Sequence, residues 1–182
     1  MPELSLNILD LCENSFSAGA SLVRISISKQ TAEDKLYLSI RDNGKGMVKS
    51  SLEKVSDPLY TTKEGKEWGL GIPFLKQTAD LCDGSFSISS APNSGTQIKI
   101  TARLSHIDLP PLGDLARTIV VIISGHSTND LSLVLRRDSS TYEFSTEIIR
   151  REVEEVSLTN PDVLKFIERD INDGLRELGF MK

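Results

Sequence analysis

Arg41-Asp42-Asn43-Gly44-Lys45-Gly46-Met47, at the end of an alternating stretch, carries the strongest structural signal in this chain. Leu36, Leu38 and Ile40 alternate with polar residues, and this period of two predicts a half-buried strand that ends at Asp42. The two glycines let the backbone take positive φ and approach a flat ligand, because neither carries a Cβ. A carboxylate at this point can accept a hydrogen bond from an exocyclic amine. Taken alone, Asp-Asn-Gly is an ordinary turn, so its function depends on the rest of the chain.

Length and composition are those of one domain, or of a core domain with an appendage. The chain has 182 residues, 38% of them hydrophobic, which is enough for a sizeable core. Its net charge is −5 and the sequence contains no run of Lys and Arg, so we expect no nucleic-acid groove and no anionic membrane surface. A membrane-spanning run of about 18 apolar residues and the layout of a signal peptide are both missing. We therefore expect a cytoplasmic protein.

A first helix is predicted over residues 3 to 18, where Ile8, Leu11 and Cys12 recur at helical spacing on one apolar face. Cys12 and Cys82 are far apart in apolar surroundings, and neither belongs to a Cys-x-x-Cys motif. Both are typical of small buried hydrophobic residues. We predict no disulfide and no metal site for them.

The opposite side of that helix is polar but carries no Lys or Arg. It consists of Asn7, Asp10, Asn14 and Ser17. A solvated helix face usually mixes long charged side chains, and it remains the alternative here. The i, i+4 spacing of Asp10 and Asn14 instead places a carboxylate beside an amide oxygen, which suits a water molecule and a hard cation such as Mg²⁺.

The remaining elements complete a two-layer pattern. A strand around residues 23–27 precedes the strand that ends at Asp42, and the two are predicted to form a hairpin. A loop over 57–68 leads into Gly69-Leu70-Gly71, which opens a helix and offers free backbone N–H groups to phosphate. Strands around 86–88 and 98–102 follow. This order of helix, strands, loop, helix and strands predicts a two-layer α/β sandwich.

In this order the motifs resemble those of the GHKL ATP-binding superfamily, which joins DNA gyrase, the large heat-shock chaperones, histidine kinases and MutL mismatch-repair ATPases. Segment 11–20 resembles the N-box in its MutL form, and 40–46 resembles the first glycine box. Segments 58–63, 69–72 and 94–96 are similar to the lid, second glycine box and terminal strand of histidine kinases. The resemblance implies a Bergerat-type α+β two-layer sandwich, whose mixed sheet is covered by helices on one face.

The resemblance also implies the ligands, ATP and Mg²⁺, and the residues that bind them. Asp42 would bind the adenine amino group, and Thr96 would support it directly or through water. Asn14 would hold Mg²⁺ against the triphosphate, and the second glycine box would offer amides to the phosphates. Lys63 is either a cation for the β/γ end or a solvated loop lysine. The cofactor-binding set is Asp42, Gly44, Gly46, Lys63, Gly69, Gly71 and Thr96.

Asp10 is the candidate catalytic residue, because it lies four residues before Asn14. At that position, family members that hydrolyse ATP or phosphorylate serine resemble one another in having Glu, while many histidine kinases have Asn. An acid can orient and deprotonate a water or hydroxyl, whereas an amide cannot. Aspartate is one methylene shorter than glutamate, so we expect slow turnover.

The resemblance covers residues 1 to 104, and a domain boundary is predicted just after it. We predict an ATP-binding domain over 1–105 and a Pro-containing linker over 106–117. His106 superficially resembles a histidine-kinase phosphoacceptor. We reject that role because the acceptor belongs on a helix N-terminal to the ATP domain, whereas this sequence starts at Met1 and has Pro110-Pro111 just after the histidine.

Residues 118–182 are predicted to form a smaller β-β-β-α-α module of unknown role. Its first strand is the apolar run 118–124, and two further strands and two helices follow. His126, alone in a turn, is interpreted as a surface residue.

We therefore expect a stand-alone Mg-ATP-binding protein, either a slow ATPase or a nucleotide-dependent switch that regulates a partner. One alternative is a protein kinase acting in trans, on serine as anti-sigma-factor kinases do or on histidine in another chain. The other is a binding module that leaves ATP uncleaved. Expected partners are ATP and a protein partner or substrate, with a homodimer as one candidate assembly and with neither nucleic acid nor membrane.

Overall fold

The structure, a computed structural model, describes residues 3–54, 71–153 and 156–181. Its strands are β1 (Leu22–Gln30), β2 (Lys35–Asp42), β3 (Ser85–Ser90), β4 (Thr96–Arg103), β5 (Asp130–Arg137) and β6 (Ser140–Ser145). Its helices are α1 (Leu4–Ser17), α2 (Lys49–Leu52), α3 (Gly71–Leu81), α4 (Leu115–Gly125), α5 (Thr146–Val153) and α6 (Pro161–Glu177).

The strands form one mixed sheet in the order β3-β4-β2-β1-β5-β6. Strands β1 and β2 form the predicted antiparallel hairpin, with Ile25 opposite Ile40. Strand β4 pairs antiparallel with both β2 and β3. On the other side, β5 runs parallel to β1, with Leu133 opposite Ile25, and β6 returns antiparallel to β5. The mixed sheet that the family resemblance implied is confirmed.

The helices lie side by side on one face of this sheet. Helix α1 packs against α3 on one side and α4 on the other, and α4 also packs against α6. The strands turn their apolar residues toward this layer: Val23, Ile25 and Ile27 of β1 are buried, whereas Arg24 between them is exposed. Burial that alternates in this way confirms the predicted two-layer sandwich.

The apolar run 118–124 is helical, so the predicted strand was wrong. Its β-branched residues favour a strand locally, but α4 lies between α1 and α6 and is apolar on most sides. Ile119 and Ile122 are buried, whereas Val121 is 49% exposed. Asp114 caps the helix, its carboxylate accepting from the Arg117 N–H at 3.0 Å. Burial between two helices decides the structure here.

The C-terminal elements share the sheet and the core with the preceding ones. The two other predicted strands of that segment form as β5 and β6, and they extend the sheet beyond β1. A single cluster of buried side chains includes Ile8 of α1, Ile119 of α4 and Ile167 of α6. We therefore expect the described parts of the chain to unfold together.

Ile119→Ala tests this expectation. The substitution removes a fully buried side chain and leaves a cavity, so the free energy of unfolding should fall by about 2–5 kcal/mol. Urea unfolding should be followed both by circular dichroism and by labelling of the Cys12 thiol, which is fully buried in the N-terminal part. The midpoints of both should fall together, whereas Val121→Ala on the same helix should have little effect. A Cys12 midpoint that stays at its wild-type value would mean that the C-terminal part unfolds by itself.

Candidate functional site

The Asp42 carboxylate lies at the end of β2 and is held by three donors from three parts of the chain. Its Oδ2 accepts from the hydroxyl of Ser15 on α1, at 3.0 Å. Its Oδ1 accepts from the backbone N–H of Gly44 at 2.8 Å and from that of Thr96 at 3.2 Å. The carboxylate is therefore fixed in orientation, and it retains lone pairs for a further donor.

Asn43 fixes the turn that follows Asp42. Its side-chain oxygen accepts from the backbone N–H groups of Ser21 at 2.9 Å and Leu22 at 3.0 Å. Its amide nitrogen donates to the Ser21 hydroxyl at 2.8 Å. These bonds tie the first glycine box to the start of β1, so Asn43 positions the neighbouring carboxylate.

The glycines of this region are required by close backbone approach. Gly46 has φ of +64°, and a Cβ there would overlap the carbonyl oxygen of Ala91. Gly95 has φ of +73°, and its Cβ would overlap the carbonyl oxygen of Asp42. Positive φ was expected at Gly44 as well and is not found there. A Cβ on Gly44 would instead lie 3.0 Å from the Ala18 carbonyl oxygen, so small size is what this position needs.

The second glycine box meets the polar edge of α1. A Cβ on Gly71, the first residue of α3, would lie 3.2 Å from the Asp10 Cβ. Asp10 and Asn14 are both exposed on α1, as the spacing predicted. Asn7 was expected on the same exposed side but is buried. Lys63, Gly69 and the lid segment lie outside the described residues.

His126 connects α4 to the helix that carries Asp10 and Asn14. Its Nε2 lies 3.0 Å from Oε1 of Glu13, and its ring stacks on Phe16 with centroids 4.5 Å apart. Only 22% of its side chain is exposed, so its interpretation as a surface turn residue was wrong. The turn that contains it packs onto α1, and His126 thereby fixes the helix next to Asn14.

Cys12, on the buried side of the same helix, has no exposed surface. Burial raises the pKa of its thiol, so the group stays protonated and unreactive in the folded protein. Cys82 is buried as well. The prediction that both are small buried hydrophobic residues is confirmed.

A protein-family model described as "Histidine kinase-, DNA gyrase B-, and HSP90-like ATPase" matches residues 2–106, more than half of the chain. The chain belongs to this ATPase family. The predicted membership of the GHKL superfamily is thereby confirmed, and it identifies the region around Asp42 as part of an ATP-binding domain.

Curated relatives match this ATPase domain over part of their length. Sensor histidine kinase YxdK of Bacillus subtilis is 30% identical over 90 residues, which cover 47% of this chain and 27% of that protein. Anti-sigma F factor of the same organism is 35% identical over 83 residues, which cover 45% of this chain and 53% of that protein. The matched region thus spans 27% to 53% of these relatives.

Solved structures share the fold over more of the chain. The N-terminal domain of a DNA repair protein has a TM-score of 0.54 at 16% identity, and covers 80% of this chain and 53% of that one. The Aquifex aeolicus MutL ATPase domain, complexed with ADP, has a TM-score of 0.50 at 14% identity, and covers 85% of this chain and 68% of that one. Each structure covers a larger part of this chain than the family model does, because the family match stops at residue 106. The fold shared with these structures therefore includes C-terminal elements of this chain.

Across the described ranges, no helix has both the length and the apolar character needed to cross a membrane.

Two residues that support the site were missed from the sequence. Ser15 was not singled out because it lies one position beyond Asn14, off the polar stripe of the helix. Its bond to Asp42 spans 27 positions in the chain and needs the packing of α1 beside β2. Asn43 was read only as a turn residue. The partners of Asn43 are Ser21 and Leu22, which lie 22 and 21 positions away at the start of β1, and nothing in the sequence next to Asn43 indicates them.

Proposed function

We propose that this ATPase-family chain binds Mg·ATP, hydrolyses it slowly and couples its nucleotide state to a protein partner. The observation that carries the proposal is the convergence of three features on α1. Asp10 lies beside Gly71, Asn14 follows one turn later, and Ser15 holds the Asp42 carboxylate. Asp10 and Ser15 are separated by about 7.5 Å along the helix, at 1.5 Å per residue. An adenine at Asp42 and phosphates at Asp10 would therefore occupy opposite ends of one site.

Adenine would be recognised by Asp42 and supported by Thr96. The exocyclic amine of adenine donates hydrogen bonds, and a carboxylate whose orientation is already set by three donors can accept one without reorganising. Thr96 already donates its backbone N–H to Asp42 Oδ1 at 3.2 Å, and it would support the base through this bond or through a water molecule held by its hydroxyl.

Magnesium would be held by Asn14 together with phosphate oxygens and water. The residues fit such an ion, because Asn14 offers an exposed amide oxygen and the Asp10 carboxylate lies one helical turn away. Bound Mg²⁺ would supply positive charge against the phosphates. The side chains of this chain would position the triphosphate and a water molecule.

Asn14→Ala should leave nucleotide binding with little dependence on Mg²⁺. The side chain is exposed, so the stability of the fold should barely change. Calorimetric titration of ATP with and without a chelator measures the effect, and Asn172→Ala on α6 is the matched control for loss of a helix-surface amide. If chelation weakens ATP binding equally in wild type and in the Asn14 variant, Asn14 is only a surface amide.

A second candidate function is protein phosphorylation in trans. The 35% identity to an anti-sigma F factor favours it, and Asp10 supplies an acid that could deprotonate a serine hydroxyl. Transfer from γ-labelled ATP separates the alternatives. Free phosphate supports the ATPase, labelled protein supports the kinase, and neither product supports a module that only binds ATP.

A further inference from the structure

The face of the sheet opposite the helices is strongly basic, although the chain as a whole carries a net charge of −5. We call it the open face, and it consists of the strand residues that alternate with the buried ones. All its cationic residues are exposed, and its acidic strand residues in the described ranges are Glu143 and Asp130, of which Asp130 pairs with Arg150 at 3.0 Å. The cationic residues are Arg24, Lys35, Arg41, Lys99, Arg103 and Arg136.

The centre of the open face places like charges side by side. Arg24 on β1 is directly opposite Arg41 on β2, and Lys99 on β4 lies diagonal to Arg41 because its own partner is Ser39. Directly opposite side chains have Cβ atoms about 4.5–5.5 Å apart, and like charges at that distance destabilise a sheet. Within the described residues, none of the three cations forms an ion pair, whereas Arg103 pairs with Asp83 at 3.0 Å. Among the described residues, no acidic side chain therefore offsets the repulsion within this cluster.

Small hydroxyl side chains surround this cluster, so a partner can approach the cations closely. On the neighbouring positions of the same face, the register places Ser26, Ser39, Ser87, Ser89 and Ser132. Hydroxyls can donate to a carboxylate as well as accept. The surface therefore offers fixed positive charge with hydrogen-bond donors, a combination that suits an anion-rich ligand.

We propose that the open face, centred on Arg24, Arg41 and Lys99, docks an acidic segment of a partner protein, rich in Asp and Glu. Charge complementarity is the argument for this occupant. A short acidic segment needs only a few neutralising contacts, whereas a long polyanion would also meet the negative charge of the rest of the chain.

Two other occupants fit the face less well. Single-stranded nucleic acid is bound through stacked aromatic side chains, and the one aromatic residue of this face in the described ranges, Tyr37, donates its hydroxyl to Glu33 at 2.8 Å. A second copy of this chain would have to offer a run of acids, whereas the exposed surface of α6 interleaves its acids with bases: Asp162 lies 3.8 Å from Lys165, and Asp173 lies 2.9 Å from Arg176.

The test is a fluorescence anisotropy titration of the full chain, without nucleotide, so that its result is independent of the proposed ATPase function. The probe is a labelled peptide of Glu, Asp and Ser, compared with the same peptide carrying Gln and Asn in place of the acids. Wild type should bind the acidic peptide, more weakly as salt is raised, and should not bind the neutral one. Arg24→Ser combined with Arg41→Ser should lower the affinity about tenfold, since each exposed ion pair contributes a modest share.

Controls separate the cluster from overall charge and from misfolding. Arg117→Ser combined with Arg169→Ser removes two exposed arginines from the helix layer and should leave peptide binding unchanged. The open-face variant should unfold at the same or a higher temperature than wild type, because it removes a like-charge pair. Equal loss in both double variants, or equal binding of both peptides, overturns the proposal. Preferential binding of a labelled single-stranded oligonucleotide through Arg24 and Arg41 also overturns it, in favour of a nucleic-acid surface.

Discussion

Asp10→Asn should abolish ATP hydrolysis while ATP binding persists. The amide keeps the size and shape of the side chain at its position beside Gly71, but it has no basic site with which to deprotonate water. General-base assistance is worth about 10²–10⁴-fold in rate, so the loss should be plain wherever wild-type hydrolysis is measurable. Phosphate release at saturating ATP, with affinity measured separately by calorimetry, distinguishes turnover from binding.

Two further variants sharpen this test. Asp10→Glu should restore the reach of the longer family side chain and raise the rate. Asp80→Asn removes an exposed carboxylate from α3 and should leave hydrolysis unchanged. If Asp10→Asn instead alters nucleotide affinity and leaves the turnover of bound ATP unchanged, Asp10 only orders Mg²⁺-bound water, and the module that merely binds ATP becomes the better description.

Asp42→Asn should weaken ATP binding by about 1.5–3 kcal/mol, the range for a hydrogen bond to a charged group, and should remove selectivity for ATP over GTP. The two backbone N–H groups on Oδ1 should keep an oxygen at that position. The amide nitrogen then replaces Oδ2 and can donate to the Ser15 hydroxyl, so the fold is preserved. In this variant the amide nitrogen would face the adenine amine, and two hydrogen-bond donors would oppose each other. Guanine has a carbonyl oxygen at the same position, which can accept from the amide.

Calorimetry with ATP and GTP measures both effects. Ser15→Ala is the matched control, because it removes one donor to Asp42 and keeps the carboxylate. It should weaken ATP binding less than Asp42→Asn does and should preserve the selectivity for ATP over GTP. Unchanged ATP affinity in a folded Asp42→Asn protein would contradict the assignment of Asp42 to adenine.

Most of the ATP-binding half could be predicted from the sequence, because its signals are local. The period-two alternation around Leu38 and the helical spacing around Ile8 identify β2 and α1 without knowledge of their neighbours. The glycine boxes are recognised from short runs of sequence as well. Glycine is needed at Gly46 because another segment of backbone approaches it closely, and the glycine is visible in the sequence even though that segment is not. Their order along the chain was sufficient to predict the fold.

The apolar run in α4 shows where local signals fail. A short, nearly continuous apolar run fits a buried strand and a buried helix equally well. Its neighbours resolve the ambiguity, because a helix between α1 and α6 can bury residues such as Ile119 and Ile122 around most of its circumference. His126 was misread for the same reason, since its contacts with Glu13 and Phe16 exist only when α4 packs on α1.

By itself, the sequence determined the family, the strand and helix periods and the motif residues, because these depend on neighbours within a few positions. Tertiary structure alone decided which donors orient Asp42 and which cations gather on the open face. Arg24, Arg41 and Lys99 form no cluster in the sequence, and net charge gave no sign of them. Pairing of β1 with β2 and of β2 with β4 brings them together, because register places every second side chain of neighbouring strands on the same face.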